Sequence, residues 1–376
     1  MSDIIKEAIK LRHELHMYPE LSGKEQKTKE ILIKFLNENT SLEIVDKGKW
    51  FYALHKGTGK CSDGAIAFRA DFDAVKVHEI NEFEYKSKNQ GISHKCGHDG
   101  HSSALCAFAM KVDREKPNKE IYFIFQFGEE TGEGAFYAKD LIKEKGIEKV
   151  YGVHNYPSAA FGTINLREGS MCCASVGMEI IFKGKSTHAS TPELGINPAE
   201  TISEIVLKLK DLCKIIEPKG ILLATVVQIE VGERAFGVSA SEGRLLLTIR
   251  GEYEYEMDMY IERISNLAEE LSQKSGMQME VNFYERFPDV QHSKETVEEI
   301  KAICADNNLK LNLMEAPLRT SEDFGYYLKE AKGALIWLGA GEKWPQLHSN
   351  DYDYNDDLIQ ATCQVFWAIL KHGMRD

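Results

Sequence analysis

The chain has 376 residues, 43% of them hydrophobic, which is more apolar material than one core holds, since cores stop growing at roughly 250–300 residues; two domains are expected. A formal net charge of −13, a pI near 5.5 and the lack of any basic stripe argue against nucleic acid as a partner. No apolar run approaches the ~20 residues of a membrane-spanning helix, the first residues lack the apolar core of an export signal, and eight scattered cysteines suggest reduced thiols, so a cytoplasmic protein is expected.

Ile4, Ile5, Ala8, Ile9 and Leu15 are spaced for one face of a first helix. Ser22 followed by Glu25 forms a capping-box signature before Ile31, Leu32, Phe35 and Leu36, which predicts a second helix starting near Gly23. The runs 65–68, 121–127, 150–153 and 334–338 read as buried strands, and several of the segments between them are long enough for crossover helices, one at 102–110. The pattern predicts an α/β fold with a mixed, largely parallel sheet flanked by helices.

Between residues 175 and 287 the pattern changes. A strand at 176–182 leads to a helix opened by Asn197, Pro198 and Glu200, then strands at 221–231 and 245–249, a helix at 256–275 and a strand at 277–283. The order βαββαβ is that of a ferredoxin-like unit. It interrupts the larger domain, so residues 1–174 and 288–376 are expected to form a discontinuous domain around an insert at 175–287.

The segment KCGHDGH puts Cys96, His98 and His101 directly before a helical pattern, a density of thiol and imidazole that points to metal. What ends each buried strand adds to it: Asp71 and Asp73 follow the first, Glu129 and Glu130 the second, His154 the third, and His348 lies in the loop beyond the fourth. In open α/β sheets, ligand sites lie outside the carboxyl ends of the strands, so these groups can converge. Thiolate, imidazole and carboxylate together suit Zn²⁺, Mn²⁺, Co²⁺ or Ni²⁺. Five candidate ligands exceed one open tetrahedral site, and two divalent ions about 3.5–4 Å apart, bridged by Cys96, would accommodate them. Adjacent carboxylates leaving a strand point in different directions, so one of Glu129 and Glu130 can coordinate while the other takes a proton from water. His188, in the insert, could stabilise an oxyanion if the insert closes over the site or reaches across a dimer.

The motifs RADFDAV, SHKCGHDGH, FQFGEE, GVHNYP, GKSTHASTP and SEDFGYYL, in this order over nearly the whole chain, resemble those of the amidohydrolase branch of the aminoacylase and carboxypeptidase metallopeptidases, which includes hippurate hydrolases and N-acetyldiaminopimelate deacetylases. The resemblance implies Cys96, His98, Glu130, His154 and His348 as metal ligands, Glu129 as general base and Asp71 as a catalytic aspartate. It also implies a homodimer built on the insert, which serves as lid and dimerisation domain, with His188 contributing to the partner's site. The chain departs from the family where Gly237, Val238, Ser239 and Ala240 stand in place of Asn-Val-Ile-Pro, where Phe127 and Gly128 replace Pro-Ala, and at Lys76, which replaces a proline.

Other residues keep plainer readings. His94 and His101 are left out of the ligand set, Asp99 serves equally as a helix cap, and Cys172 and Cys173 read as small buried residues. Glu269-Glu270 and Glu298-Glu299 fall inside helices as solvated pairs. Arg250 suits a substrate carboxylate or an ion pair within the insert, and Ser321 a cap for a following helix. The expectation is hydrolysis of the amide of an N-acyl amino acid, against two alternatives: a dipeptidase or carboxypeptidase using the same centre, and a non-catalytic small-molecule binder.

Overall fold

The computed structural model describes residues 1–57 and 64–374. The chain folds into two compact units, one of Met1–Met171, Val290–Ala316 and Asp323–Asp376, the other of Cys172–Asp289 and Pro317–Glu322. Among the described residues no helix is long and apolar enough to cross a membrane.

The first unit is built on an eight-stranded sheet. Its centre is four parallel strands in the spatial order Ile121–Gln126, Ala65–Asp71, Ile147–Tyr156 and Lys332–Gly339. Antiparallel pairing enters on both sides, through Phe51–His55 next to Ile121–Gln126 and through Ile164–Leu166 next to Lys332–Gly339. Every residue of Ala65–Asp71 and Ile121–Gln126 is buried, as expected of strands covered on both faces. The helices Ser2–Met17, His98–Glu115 and Asp357–His372 pack together, and Phe68, Phe108, Phe123 and Phe366 join the sheet to His98–Glu115 and Asp357–His372.

The second unit follows the order strand, helix, strand, strand, helix, strand: Ala174–Lys183, Pro198–Ile216, Leu222–Val231, Glu242–Gly251, Glu254–Ser275 and Gln278–Phe287. Its four strands are antiparallel, with Ala174–Lys183 and Glu242–Gly251 central and Leu222–Val231 at one edge. Alternate residues Val176, Met178, Ile180 and Phe182 turn onto a core closed by Ile202, Ile205, Met257, Tyr260 and Ile264 of the two helices. Asn197 caps Pro198–Ile216 by accepting from the amide of Ala199 at 2.9 Å.

Two sequence expectations are corrected. The second helix runs Gln26–Asn39 rather than from Gly23, and no side-chain cap forms at its start. Both capping-box residues are engaged elsewhere: Ser22 Oγ donates to Asp73 Oδ2 at 2.7 Å and Glu25 Oε1 accepts from the amide of Gly128 at 2.8 Å. Ser321 caps no helix either; Gly325–Leu328 has no side-chain cap, and Ser321 Oγ accepts from Arg250 at 2.6 Å.

Candidate metal centre

The loop before the helix His98–Glu115 turns at Gly97, whose φ of +100° lies in the left-handed region. A Cβ there would sit 2.6 Å from Asn155 Oδ1 and 2.8 Å from the Tyr352 hydroxyl, so both the backbone angle and the space demand glycine. This turn delivers Cys96 and His98 to the carboxyl end of the parallel strands. His154 comes from the end of Ile147–Tyr156, and its ring stacks on Trp337 of the neighbouring strand, centroids 4.3 Å apart. Past Ile121–Gln126 a second left-handed glycine, Gly128 with φ +58°, leads the chain to Glu129 and Glu130.

These side chains meet in the first unit. Cys96 Sγ lies 3.6 Å from His154 Nε2, and His348 Nε2 lies 3.2 Å from Glu130 Oε1. His98 Nε2 stands 3.8 Å from Glu129 Oε2, 3.8 Å from Glu130 Oε1 and 3.9 Å from Asp71 Oδ2. Cys96, His98 and His154 form one group with ligand atoms within 4.8 Å of one another, and Cys96, Glu130 and His348 another, so Cys96 belongs to both. His348 is a non-glycine residue held at φ +62°, a conformation that costs about 1 kcal/mol or more and persists where surroundings fix it. Its amide donates to the carbonyl of Lys95, the residue before Cys96, at 2.7 Å.

The electrostatics favour cations. Burial, then Glu130 and Glu129, push the Cys96 thiol well above its usual range. Burial opposes a charge on His98, yet Asp71 and Asp73 outweigh it and push the imidazole up to about 10. Burial drives His154 well below the ordinary imidazole value, with His101 adding to the effect, so its nitrogen is available as a neutral ligand. Asp71 resists desolvation through His98, Arg69 and His101 and stays well below the carboxylate range. The clearest mark is His98 Nε2, a buried ring nitrogen without a hydrogen-bond partner, aimed among three carboxylates at distances too long for hydrogen bonds. The donor set and this orphaned atom fit divalent metal binding.

Around this cluster lies a layer of buried partners to which, apart from His101 and Asp99, the sequence reading gave no role beyond the site residues they contact. Arg69 donates to Asp71 Oδ2 at 2.6 Å, to Asp323 Oδ1 at 2.8 Å and to Gln126 Oε1 at 2.8 Å. His101 contacts Asp71 Oδ1 at 2.7 Å and Asn155 Oδ1 at 2.5 Å, so both its ring nitrogens are engaged. Asp99 is the buried partner of Arg12 at 3.0 Å and of His16 at 2.7 Å, and His16 and Lys95 converge on Glu79. One signal was in the sequence: Arg69 interrupts an apolar strand, and Arg12 and His16 interrupt the apolar face of the first helix, where charge requires partners.

His188 lies in the second unit, exposed, on a two-residue strand. It pairs with Val238, Thr187 pairs with Ser239, and Ala189 donates its amide to Gly237 at 3.0 Å. The segment that departs from the family pattern is therefore the one lying against His188. Arg250, also in the second unit, donates to the carbonyl of Arg319 and to Ser321.

Residues 67–372 match the model of peptidase family M20/M25/M40. The N-acetyl-L-cysteine deacetylase of Bacillus subtilis is 29% identical over 345 residues, covering 90% of this chain and 82% of that protein. The hippurate hydrolase of Campylobacter jejuni is 28% identical over 376 residues, covering 97% and 96% respectively. The crystal structure of a dinuclear metal-binding peptidase of the M20 family from Bacillus subtilis superposes with a TM-score of 0.81 at 24% identity, over 98% of both chains. The family match spans most of the chain and encloses every side chain of the cluster: the chain belongs to peptidase family M20/M25/M40 and is a hydrolase acting on amide bonds.

Proposed function

We propose that the protein hydrolyses the amide bond of N-acyl amino acids at a centre of two divalent cations held by Cys96, His98, Glu130, His154 and His348. The observation that carries the reading is the pair of donor groups sharing Cys96, with the unpartnered His98 Nε2 standing 3.8 Å from Glu129 Oε2. When bound, the cations polarise the substrate carbonyl and lower the pKa of the attacking water. Glu129 takes the proton of that water and returns it to the departing amine. Asp71, held by Arg69 and His101, keeps the surrounding imidazoles oriented. Zinc or manganese suits the mixed thiolate, imidazole and carboxylate set, with cobalt and nickel as alternatives. A buried thiol ligand suits the reducing cytoplasm.

The substrate class is supported by the relatives, one named for N-acetyl-L-cysteine and one for hippurate, both amino acids acylated on nitrogen. We assign the second unit the roles of lid and homodimer contact, with His188 supporting the oxyanion of the partner's site. The test is Glu129→Gln, an isosteric change that removes the base. Turnover of N-acetyl and N-benzoyl amino acids is expected to fall by a factor of roughly 10²–10⁴ while metal content, read by elemental analysis, is unchanged. Retained turnover would defeat the assignment of the base. Faster turnover of dipeptides than of acyl amino acids would move the substrate class to peptides.

A further inference from the structure

Asp73 is buried and accepts three hydrogen bonds from three separate parts of the first unit. Its Oδ1 accepts a hydrogen bond from His98 Nδ1 at 2.9 Å. Its Oδ2 receives the backbone amide of Glu130 at 3.0 Å and the hydroxyl of Ser22 at 2.7 Å. One carboxylate thus spans two of the proposed ligands, the first through its ring and the second through its main chain. In the neutral ring that metal binding requires, the Nδ1 proton committed to Asp73 leaves the lone pair on Nε2, the orphaned atom aimed at Glu129 and Glu130. The other end of the same turn is braced too, because the amide of Gly128 is held by Glu25. Ser22 and Glu25 both precede the helix Gln26–Asn39, so the N-terminal segment reaches the glutamate turn by two routes.

We propose that Asp73 is a positioning residue that couples His98 to Glu130, selecting the ring tautomer of one and fixing the main chain of the other, with Ser22 steadying the carboxylate. The inference rests on the metal-centre reading above. Asparagine is the discriminating replacement, since its single acceptor oxygen can serve His98 or the Glu130 amide and not both. In calorimetric titration of the metal-free full-length protein with Co²⁺, Asp73→Asn is expected to weaken binding roughly 10–100-fold. The same substitution in a His98→Ala background is expected to cost less than in the parent, because the ring is already gone and only the hold on the Glu130 amide remains to be lost. A merely structural role would give additive losses in the two backgrounds. Ser22→Ala leaves the carboxylate in place and provides a second cycle should Asp73→Asn fail to fold: a loss of about fivefold, the equivalent of one ordinary hydrogen bond, that shrinks when His98 is absent. Additive losses in either cycle, or Co²⁺ affinity in Asp73→Asn equal to the parent's, would overturn the role given to Asp73. A parent protein that takes up no Co²⁺ would instead sink the metal-centre reading itself.

Discussion

His292 shows how a single buried side chain ties stability to pH. Its Nδ1 donates to the carbonyl of Arg167 at 3.1 Å and its Nε2 accepts the amide of Leu335 at 3.2 Å, so both ring nitrogens are satisfied only in the neutral form. Protonating Nε2 would set two donors against each other, and burial already lowers the group from 6.5 to about 4. The unfolded chain therefore binds this proton more readily than the folded one. The stabilisation is complete above about 6.5, the ordinary value, and is lost as the pH falls toward 4, to a total of about 3 kcal/mol. His292→Gln offers one donor and one acceptor without the titration. Its melting temperature is expected to fall less than the parent's between pH 7 and pH 4; parallel curves would exclude this residue as a source of acid sensitivity.

At the scale of elements, the start of the helix His98–Glu115 is governed by how closely it meets Tyr354. A Cβ on Gly100 would stand 2.3 Å from ring carbons of Tyr354, which is fully buried beside it. Gly100→Ala is expected to cost about 1–3 kcal/mol by overpacking, and to weaken metal uptake as well, since His98 lies two residues away. Thermal melts together with metal titration would check both; a variant unaffected in both would show that the helix shifts freely.

The central strands were legible in the sequence because each is an apolar run buried on both faces, and the structure lengthens the run 65–68 to Ala65–Asp71 and 150–153 to Ile147–Tyr156. The polar ends of those strands escaped the apolar pattern, yet they carry Asp71 and His154. Glu129, Glu130 and His348 could be nominated because each stands in a loop beyond such a run, and Cys96 because His98 and His101 crowd it just before a helical pattern. Their supports could not be read, since Asp73 with Ser22 and Arg69 with Asp323 are pairings across 51 and 254 positions that periodicity does not encode. The capping box misled for the same reason: Ser22 and Glu25 have the local spacing of a helix start, but buried acceptors and donors of the glutamate turn compete for them and win.

For the whole molecule, the role proposed for His188 decides whether one chain suffices for turnover. Leu222–Val231 lies at the edge of its sheet, and Leu207 at 80% exposure, Val227 at 62% and Ile229 at 51% leave apolar side chains in solvent on that unit. An exposed apolar edge strand is a natural site for an isologous contact with a second copy. If His188 serves the partner's centre, as we propose, two dead variants can restore each other. Glu129→Gln lacks a base but retains His188; His188→Ala lacks the imidazole but retains Glu129. In a mixed dimer one centre then combines both defects while the other receives an intact Glu129 from one chain and an intact His188 from its partner. Random reassociation of equal amounts should give mixed dimers for half of the population, each with one working centre of two, and so about a quarter of the parent activity. Activity at the level of the separate variants after verified subunit exchange would mean that His188 acts within its own chain or not at all.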